Sequence, residues 1–194
     1  QKNALTHISR IELLQQETMM VLDANARRNL ELVRTMRDGT NKGSLFWLLN
    51  KTNTAMGARL LKQWIVEPLC TAQMIDARLD AVDELSKNTE LLDSIKSQLV
   101  GFGDIERLIA RISYNTFDAR NCIALRDSIG RLPQLYSTLH KVHSPLLCEI
   151  RELIDVLDDV YTLIFNAIEE EPNAGVNDGG IIKSGYNAEI DKYK

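Results

Sequence analysis

From Ser44 to Ile168 apolar residues recur at intervals of three and four, and little of the chain alternates as a strand does. "IERLIARI" shows the period most simply, with Ile105, Leu108, Ile109 and Ile112 at relative positions 0, 3, 4 and 7. That spacing puts all four on one face of a 3.6-residue helix. The same period carries Met56, Leu60, Leu61, Trp64 and Ile65, then Ile75, Leu79, Val82 and Leu85, then Cys122, Leu125, Ile129 and Leu132. Stripes of this kind are buried by packing helix on helix, so the predicted class is all-α.

Punctuation fits that class. Asp23 stands as N-cap before "ANARRNLELVRTM", a helix that would put Leu30 and Val33 on one face. Ser44, Thr54, Thr71, Thr89 and Asp104 stand where caps belong, and a further helix starts near Asp118. Pro68 ends the helix after Trp64, because a proline disfavours helical geometry in the residue before it. Gly101 and Gly103 break the chain, and Pro133 and Pro145 bracket one short helix. After Ser144 the residues Leu146, Ile150, Leu153, Leu157, Val160, Tyr161, Ile164 and Ile168 predict one helix. At 1.5 Å per residue its roughly 23 residues would span about 35 Å.

"EEEPNAGVNDGGIIKSGY" ends the pattern. Pro172, Gly175, Gly179, Gly180 and Gly185 make it turn-rich, with Ile181 and Ile182 as a short strand. "NAEIDKYK" then opens a helix that the sequence does not finish. The organisation expected is a mixed segment over residues 1–38, a helical core over 39–170, a Gly-rich turn over 171–186 and the start of a truncated lever helix over 187–194. A first residue of Gln and this unfinished helix lead to the expectation of a piece of a longer protein.

The chain has 194 residues, 44% hydrophobic and 26% charged, enough to bury a core. A formal charge of −4 predicts weak, salt-sensitive nucleic-acid binding at best. Cys70, Cys122 and Cys148 lie far apart and read as buried reduced thiols, as in a cytoplasmic protein. No apolar run is long enough to cross a membrane as a helix.

Catalytic signatures are missing from the sequence. His7, His140 and His143 have no cysteine or third ligand at metal-binding spacing. "DGTNKGS" has Gly39, Lys42 and Gly43 before a helix, but its lysine precedes the second glycine and no strong strand leads into it. Asp76, Asp80, Asp83 and Glu84 fall on the polar side of their helix and read as a solvated face. Three glutamates in "IEEEPN" sit at a helix C-terminus, where the helix dipole disfavours them, and the sequence names no basic partner. The stretch "TNTAMGARLLKQW" (Thr52–Trp64) offers a phosphate one glycine, three residues into a helix. It reads instead as a junction: Thr54 caps, Gly57 lets a neighbouring helix approach, Met56, Leu60 and Trp64 pack inward, and Arg59 reaches a carboxylate or a helix C-terminus.

Five segments, in order, are more specific than any single motif. "LDANARRNLEL", "LLNKTNTAMGARLLKQWIVEPL", "IDARLDAVDEL", "DIERLIARI" and "EEPNAGVNDGGIIKSGYNAEID" resemble the core, or lever, region of the MutS family of DNA mismatch repair ATPases, in its bacterial branch. The first twenty residues and "SQLVGF" fit only loosely. The family's mismatch-reading Phe-x-Glu does not occur: Phe46, Phe102, Phe117 and Phe165 are followed two positions on by Leu48, Asp104, Ala119 and Ala167.

The resemblance implies a lever that couples ATP-dependent changes to a DNA clamp, without chemistry of its own. ATP and magnesium are then expected only in an ATPase domain outside this chain, and no catalytic, cofactor or metal residues within it. Expected partners are the clamp, connector and ATPase parts of the same protein, mismatched duplex DNA, and a second subunit. Lys51, Arg59 and Lys62 could touch a DNA backbone in that setting. Leu146–Ile168 and the helix from Asn187 would be the mechanical members, with Gly179, Gly180 and Gly185 turning the backbone between them. The structural set is therefore Thr54, Gly57, Arg59, Trp64, Pro68, Asp104, Gly179, Gly180 and Gly185. The alternative is a stand-alone helical scaffold for partner proteins.

Overall fold

The computed structural model describes residues 18–173 and 179–192. His7, Gly175 and the mixed stretch before Thr18 lie outside the described residues. Among the described residues the chain is helical, with two isolated antiparallel bridges, Met19 with Leu69 and Ile168 with Ile182. It divides into two compact units: residues up to Thr52 with Met56–Leu79, and Asn53–Ala55 with everything from Asp80 on.

In the first unit, α1 (Ala24–Asn29) starts where the Asp23 carboxylate accepts the Ala26 N–H at 2.6 Å. It stops after six residues, so Leu30 and Val33 do not share a helical face. Glu31 turns left-handed at φ 48°, and its carboxylate accepts the Met36 N–H. The carbonyls of Glu31 and Leu32 accept the N–H groups of Leu45 and Phe46, the open donors that begin α2 (Leu45–Leu49). Backbone that would have continued α1 satisfies α2 instead. Ser44, fully buried, completes that start by accepting the Trp47 N–H at 3.2 Å.

Helix α3 (Ala55–Val66) ends two residues before Pro68, whose carbonyl accepts the Met20 N–H at 2.7 Å. The inward packing expected of α3 is corrected: Leu60 and Trp64 are exposed. Helix α4 (Ala72–Lys87) crosses the boundary between units. Its expected stripe is corrected too, because Ile75, Leu79 and Val82 are exposed while Ala81 is buried. In a helix with a weak apolar contrast, the tertiary partner chooses the buried face.

The second unit holds α5 (Thr89–Leu99), α6 (Ile105–Ser113), α7 (Ala119–Ile129), α8 (Leu132–Leu139), α9 (Pro145–Glu152), α10 (Asp158–Ala167) and α11 (Ala188–Asp191). Asn88, not Thr89, caps α5 by accepting the Leu91 N–H. Asp104 and Asp118 cap α6 and α7 as their positions predict. Two apolar clusters form. One gathers Leu91, Leu139 and Val142 with Leu147, Cys148 and Ile154; the other gathers Leu108, Leu125 and Ile129 with Leu157, Tyr161 and Ile164.

Those two clusters explain the largest departure from expectation. The run from Leu146 to Ile168 is not one rod but α9 and α10. Leu157 sits left-handed at φ 51°, and the Asp155 carboxylate accepts its N–H at 3.0 Å. Ile154 packs in the first cluster and Leu157 in the second. A left-handed residue costs a non-glycine on the order of 1 kcal/mol, offset here by burial on both sides of the break. Asp158 and Asp159 in the first turn of α10 favour a helix starting there.

Glu84 also departs from the solvated face expected of it. Its two carboxylate oxygens accept the N–H groups of His143 at 2.6 Å and Ser144 at 2.7 Å, at the start of α9. Burial pushes its pKa up, but the bonds from Ser144 and His143 outweigh that and hold it below the ordinary value. At neutral pH, Glu84→Ala is expected to destabilise the chain by about 1–2 kcal/mol in chemical denaturation. Because the folded pKa is depressed, this contribution is complete above the ordinary carboxylate range and fades as pH falls through the folded value. The gap between wild type and variant should close in acid; a gap constant with pH would refute the charged cap.

Gly103 is a second tight point. Its N–H donates to the buried Ser128 hydroxyl at 3.0 Å, and a Cβ there would lie 2.6 Å from that oxygen. Gly103→Ala is expected to lower stability by about 1–3 kcal/mol, read from the denaturation midpoint.

Candidate functional site

The most constrained polar arrangement surrounds the end of α10 and the approach to α11. It begins on α7, whose buried face holds Ala119, Asn121, Leu125, Ser128 and Ile129 and also Arg126. Arg126 is only 8% exposed. A buried guanidinium requires counter-charge and hydrogen bonds, and Arg126 has both. One terminal nitrogen donates to both Glu170 oxygens at 2.8 and 2.9 Å, and the other reaches Asp127 at 2.8 Å. Burial works against its charge, but Asp127 and Glu170 outweigh it and raise its pKa. The hydrogen bond from Arg126 in turn holds the Glu170 carboxyl below its usual range.

Lys183 joins from the far side of the Gly-rich turn. Its ammonium donates to the Phe165 carbonyl at 2.7 Å, lies 4.5 Å from the Phe165 ring centre and stands 3.6 Å from Glu170. A cation on a last-turn carbonyl complements the helix dipole. Between these charges the backbone pairs: Glu169 N–H donates to the Ile181 carbonyl at 2.9 Å, and Lys183 N–H to the Ala167 carbonyl at 2.8 Å. Ile181 and Ile182 thus contribute a single bridge where a short strand was expected.

The glycines sit where chirality demands them. Gly179 and Gly180 have φ of 66° and 67°, and Gly185 has 86°, values that L side chains rarely adopt. Asn173 donates to the Gly179 carbonyl at 3.0 Å. Beyond Gly185, the Asn187 side chain accepts the N–H groups of Glu189 and Ile190 and starts α11. Asp191 accepts the Gly185 N–H at 2.8 Å, tying α11 back to the turn. An apolar cavity of about 440 Å³ lies beside this joint, walled by Phe117, Cys122, Ile168, Ile181 and Ile190. Burial, with the Asp118 charge, pushes the Cys122 thiol up and disfavours its thiolate.

The other residues singled out in the sequence occupy α3 and α6. Thr54 directly precedes α3, and Gly57 and Arg59 lie half-buried in its first two turns. Trp64, though exposed, receives the Arg78 guanidinium 3.8 Å from its ring centre. Asp104 accepts the Arg107 N–H and pairs with its guanidinium at 3.4 Å. Cys70 is exposed rather than buried, while Cys122 and Cys148 are half-buried and free. Among the described residues no group of three or more acidic, His or Cys side chains could hold a metal, and no helix is long and apolar enough to cross a membrane.

The partner of Glu170, the middle of the three glutamates, is the residue that sequence reasoning missed. Arg126 is 44 positions from Glu170. Its one signal was a charge set among the apolar positions Leu125 and Ile129 of its own helix.

Comparison with known proteins agrees with the segment order. The family model for MutS domain III matches residues 25–194. The DNA mismatch repair protein MutS of Clostridium novyi (strain NT) is 42% identical over all 194 residues, which cover 21% of that protein. That of Lachnoclostridium phytofermentans is 43% identical over 191 residues, 98% of this chain and 20% of the relative. That of Clostridium perfringens is 41% identical over 194 residues, again 21% of its length. The chain spans about a fifth of the length of these relatives.

Arg126→Gln is expected to loosen the joint selectively. Hydrogen exchange at the Glu169 and Lys183 amides should quicken by about tenfold or more, the loss of one charge-assisted bond. The Leu135 amide, bonded to Arg131 within α8, should be unaffected. Equal acceleration at all three would mean global destabilisation instead.

Proposed function

The chain belongs to the MutS domain III family, and from that premise we propose that it is the mechanical core of a DNA mismatch repair protein. In this reading it performs no chemistry. It couples nucleotide-driven changes in one part of a longer chain to a clamp that grips DNA in another. The observation that carries the reading is the joint of Arg126, Glu170 and Lys183. It ties two helices, α7 and α10, to the backbone that leads into α11. A packed helix moves as a unit, and a charge-locked joint transmits displacement where a free linker would absorb it.

The break at Leu157 moves this role away from a single rod. α10, bound to α7 and to the Gly-rich turn, becomes the member next to the lever, and α11 is the start of the lever itself. Exposed apolar residues such as Leu48, Leu79, Val82 and Leu163 support packing against further parts of a longer protein.

The test uses a full-length mismatch repair protein carrying this domain. Arg126→Gln should leave ATP turnover without DNA near wild type while reducing the response of that turnover to DNA. A coupling loss of about 1 kcal/mol, or roughly fivefold, is the scale expected. Unchanged coupling would overturn the reading. The 194-residue chain alone should give no ATP turnover above a no-protein control and no preference for mismatched over matched duplex.

A further inference from the structure

The first unit contains a cavity of about 520 Å³ whose charge stands apart from the rest of the chain. Arg27 and Arg28 reach it from α1, Arg34 from the turn after it, and Lys62 from α3. Four basic residues thus line one space in a protein whose net charge is −4. Among the described residues no carboxylate lines the space. The acidic groups nearest in sequence are each engaged elsewhere: Asp23 accepts the Ala26 N–H, Glu31 the Met36 N–H, Asp38 pairs with Arg37 at 3.7 Å, and Glu67 accepts from the Gln63 amide at 3.1 Å. The remaining wall is largely apolar, with Val33 and Val66.

A second observation is independent of the charge count. The Arg27 Nε is buried and, among the described residues, has no hydrogen-bond partner. An unsatisfied buried donor is costly, more so when it carries part of a positive charge. Like charges on Arg27, Arg28, Arg34 and Lys62 around one space repel one another unless an anion sits between them. The site is therefore built with donors and charge that the protein itself does not complete.

We propose that this cavity binds a phosphoryl group, with the guanidiniums of Arg27, Arg28 and Arg34 and the Lys62 ammonium around its oxygens. A phosphate concentrates charge and acceptor oxygens within one small group, whereas a peptide would need several adjacent carboxylates to match four cations. Planar guanidiniums suit paired phosphate oxygens. The volume falls in the range of small-ligand sites and leaves room beyond a phosphate. Val33 and Val66 offer that remainder an apolar surface suited to a sugar or base. The phosphate source is either a free nucleotide or a nucleic-acid backbone. This site is separate from the joint of Arg126 and Glu170, and neither proposal depends on the other.

The experiment is calorimetric titration of the 194-residue chain with pyrophosphate, followed by competition with ADP and with short duplex DNA. Pyrophosphate should bind, and the affinity should fall about tenfold in the Arg28→Gln/Arg34→Gln variant, the equivalent of one charge-assisted bond or more. Lys62→Gln, an exposed change on α3, should weaken binding severalfold and keeps the test valid if the double variant fails to fold. Lys141→Gln, in the second unit, should leave affinity unchanged. Competition by ADP assigns the site to a nucleotide, and competition by DNA alone assigns it to a backbone. Binding that neither displaces would mean an adventitious ion only and would overturn the proposal. So would equal affinity in the wild type and the Lys62→Gln variant, or a poly-glutamate peptide that binds where pyrophosphate does not.

Discussion

A guanidinium placed on the buried face of a helix has few stable outcomes. Left without counter-charge, it costs several kcal/mol and unfolds its surroundings. Arg126 avoids that by drawing in Glu170 from 44 residues away, and the rest of the joint follows from that pairing. Glu170 must stay beside α7, so the end of α10 must stay there as well. The backbone bridge between Ile168 and Ile182 then forms against a fixed edge. Lys183 supplies the second cation and closes the last turn of α10. Glu170, the middle of three acidic residues past a helix C-terminus where the dipole disfavours them, becomes tolerable because two cations meet it.

The same logic of distant completion recurs at the start of α9. That helix begins with Ser144 and Pro145, and Ser144 makes no side-chain cap. Glu84 fills the need from α4, accepting two backbone N–H groups. In both places a carboxylate joins elements far apart in sequence, and in both the bonded charged form is favoured over the protonated one. Charge here acts as a fastener between helices whose apolar contacts alone are modest. The two apolar clusters are small, and many large apolar side chains remain exposed.

Under the mechanical role proposed for this MutS domain III chain, these fasteners have a purpose. A body that transmits displacement must hold its joints while its neighbours move. Salt-linked backbone corners with left-handed glycines do so with few residues. The break at Leu157 fits the same requirement, since one uninterrupted helix could not have packed against both clusters.

Much of this was legible in the sequence, and for local reasons. Helical class, the caps at Asp23, Ser44, Asp104 and Asp118, the end of α3 before Pro68 and the turn glycines all depend on residues within one or two turns of each other. Family membership was legible in the order of five segments. Tertiary structure alone decided the rest. The apolar period ran through Leu157 without a signal strong enough to override it, because only the location of two separate clusters makes a break favourable there. Which face of α3 and α4 is buried was likewise set by the neighbour each helix found. The partners Arg126 with Glu170 and Glu84 with the Ser144 N–H were not legible, since a polar contact across tens of residues leaves no periodic trace. The sequence by itself determined where helices form, through local backbone chemistry. The three-dimensional packing decided which charges meet, because that depends on distance in space and not along the chain.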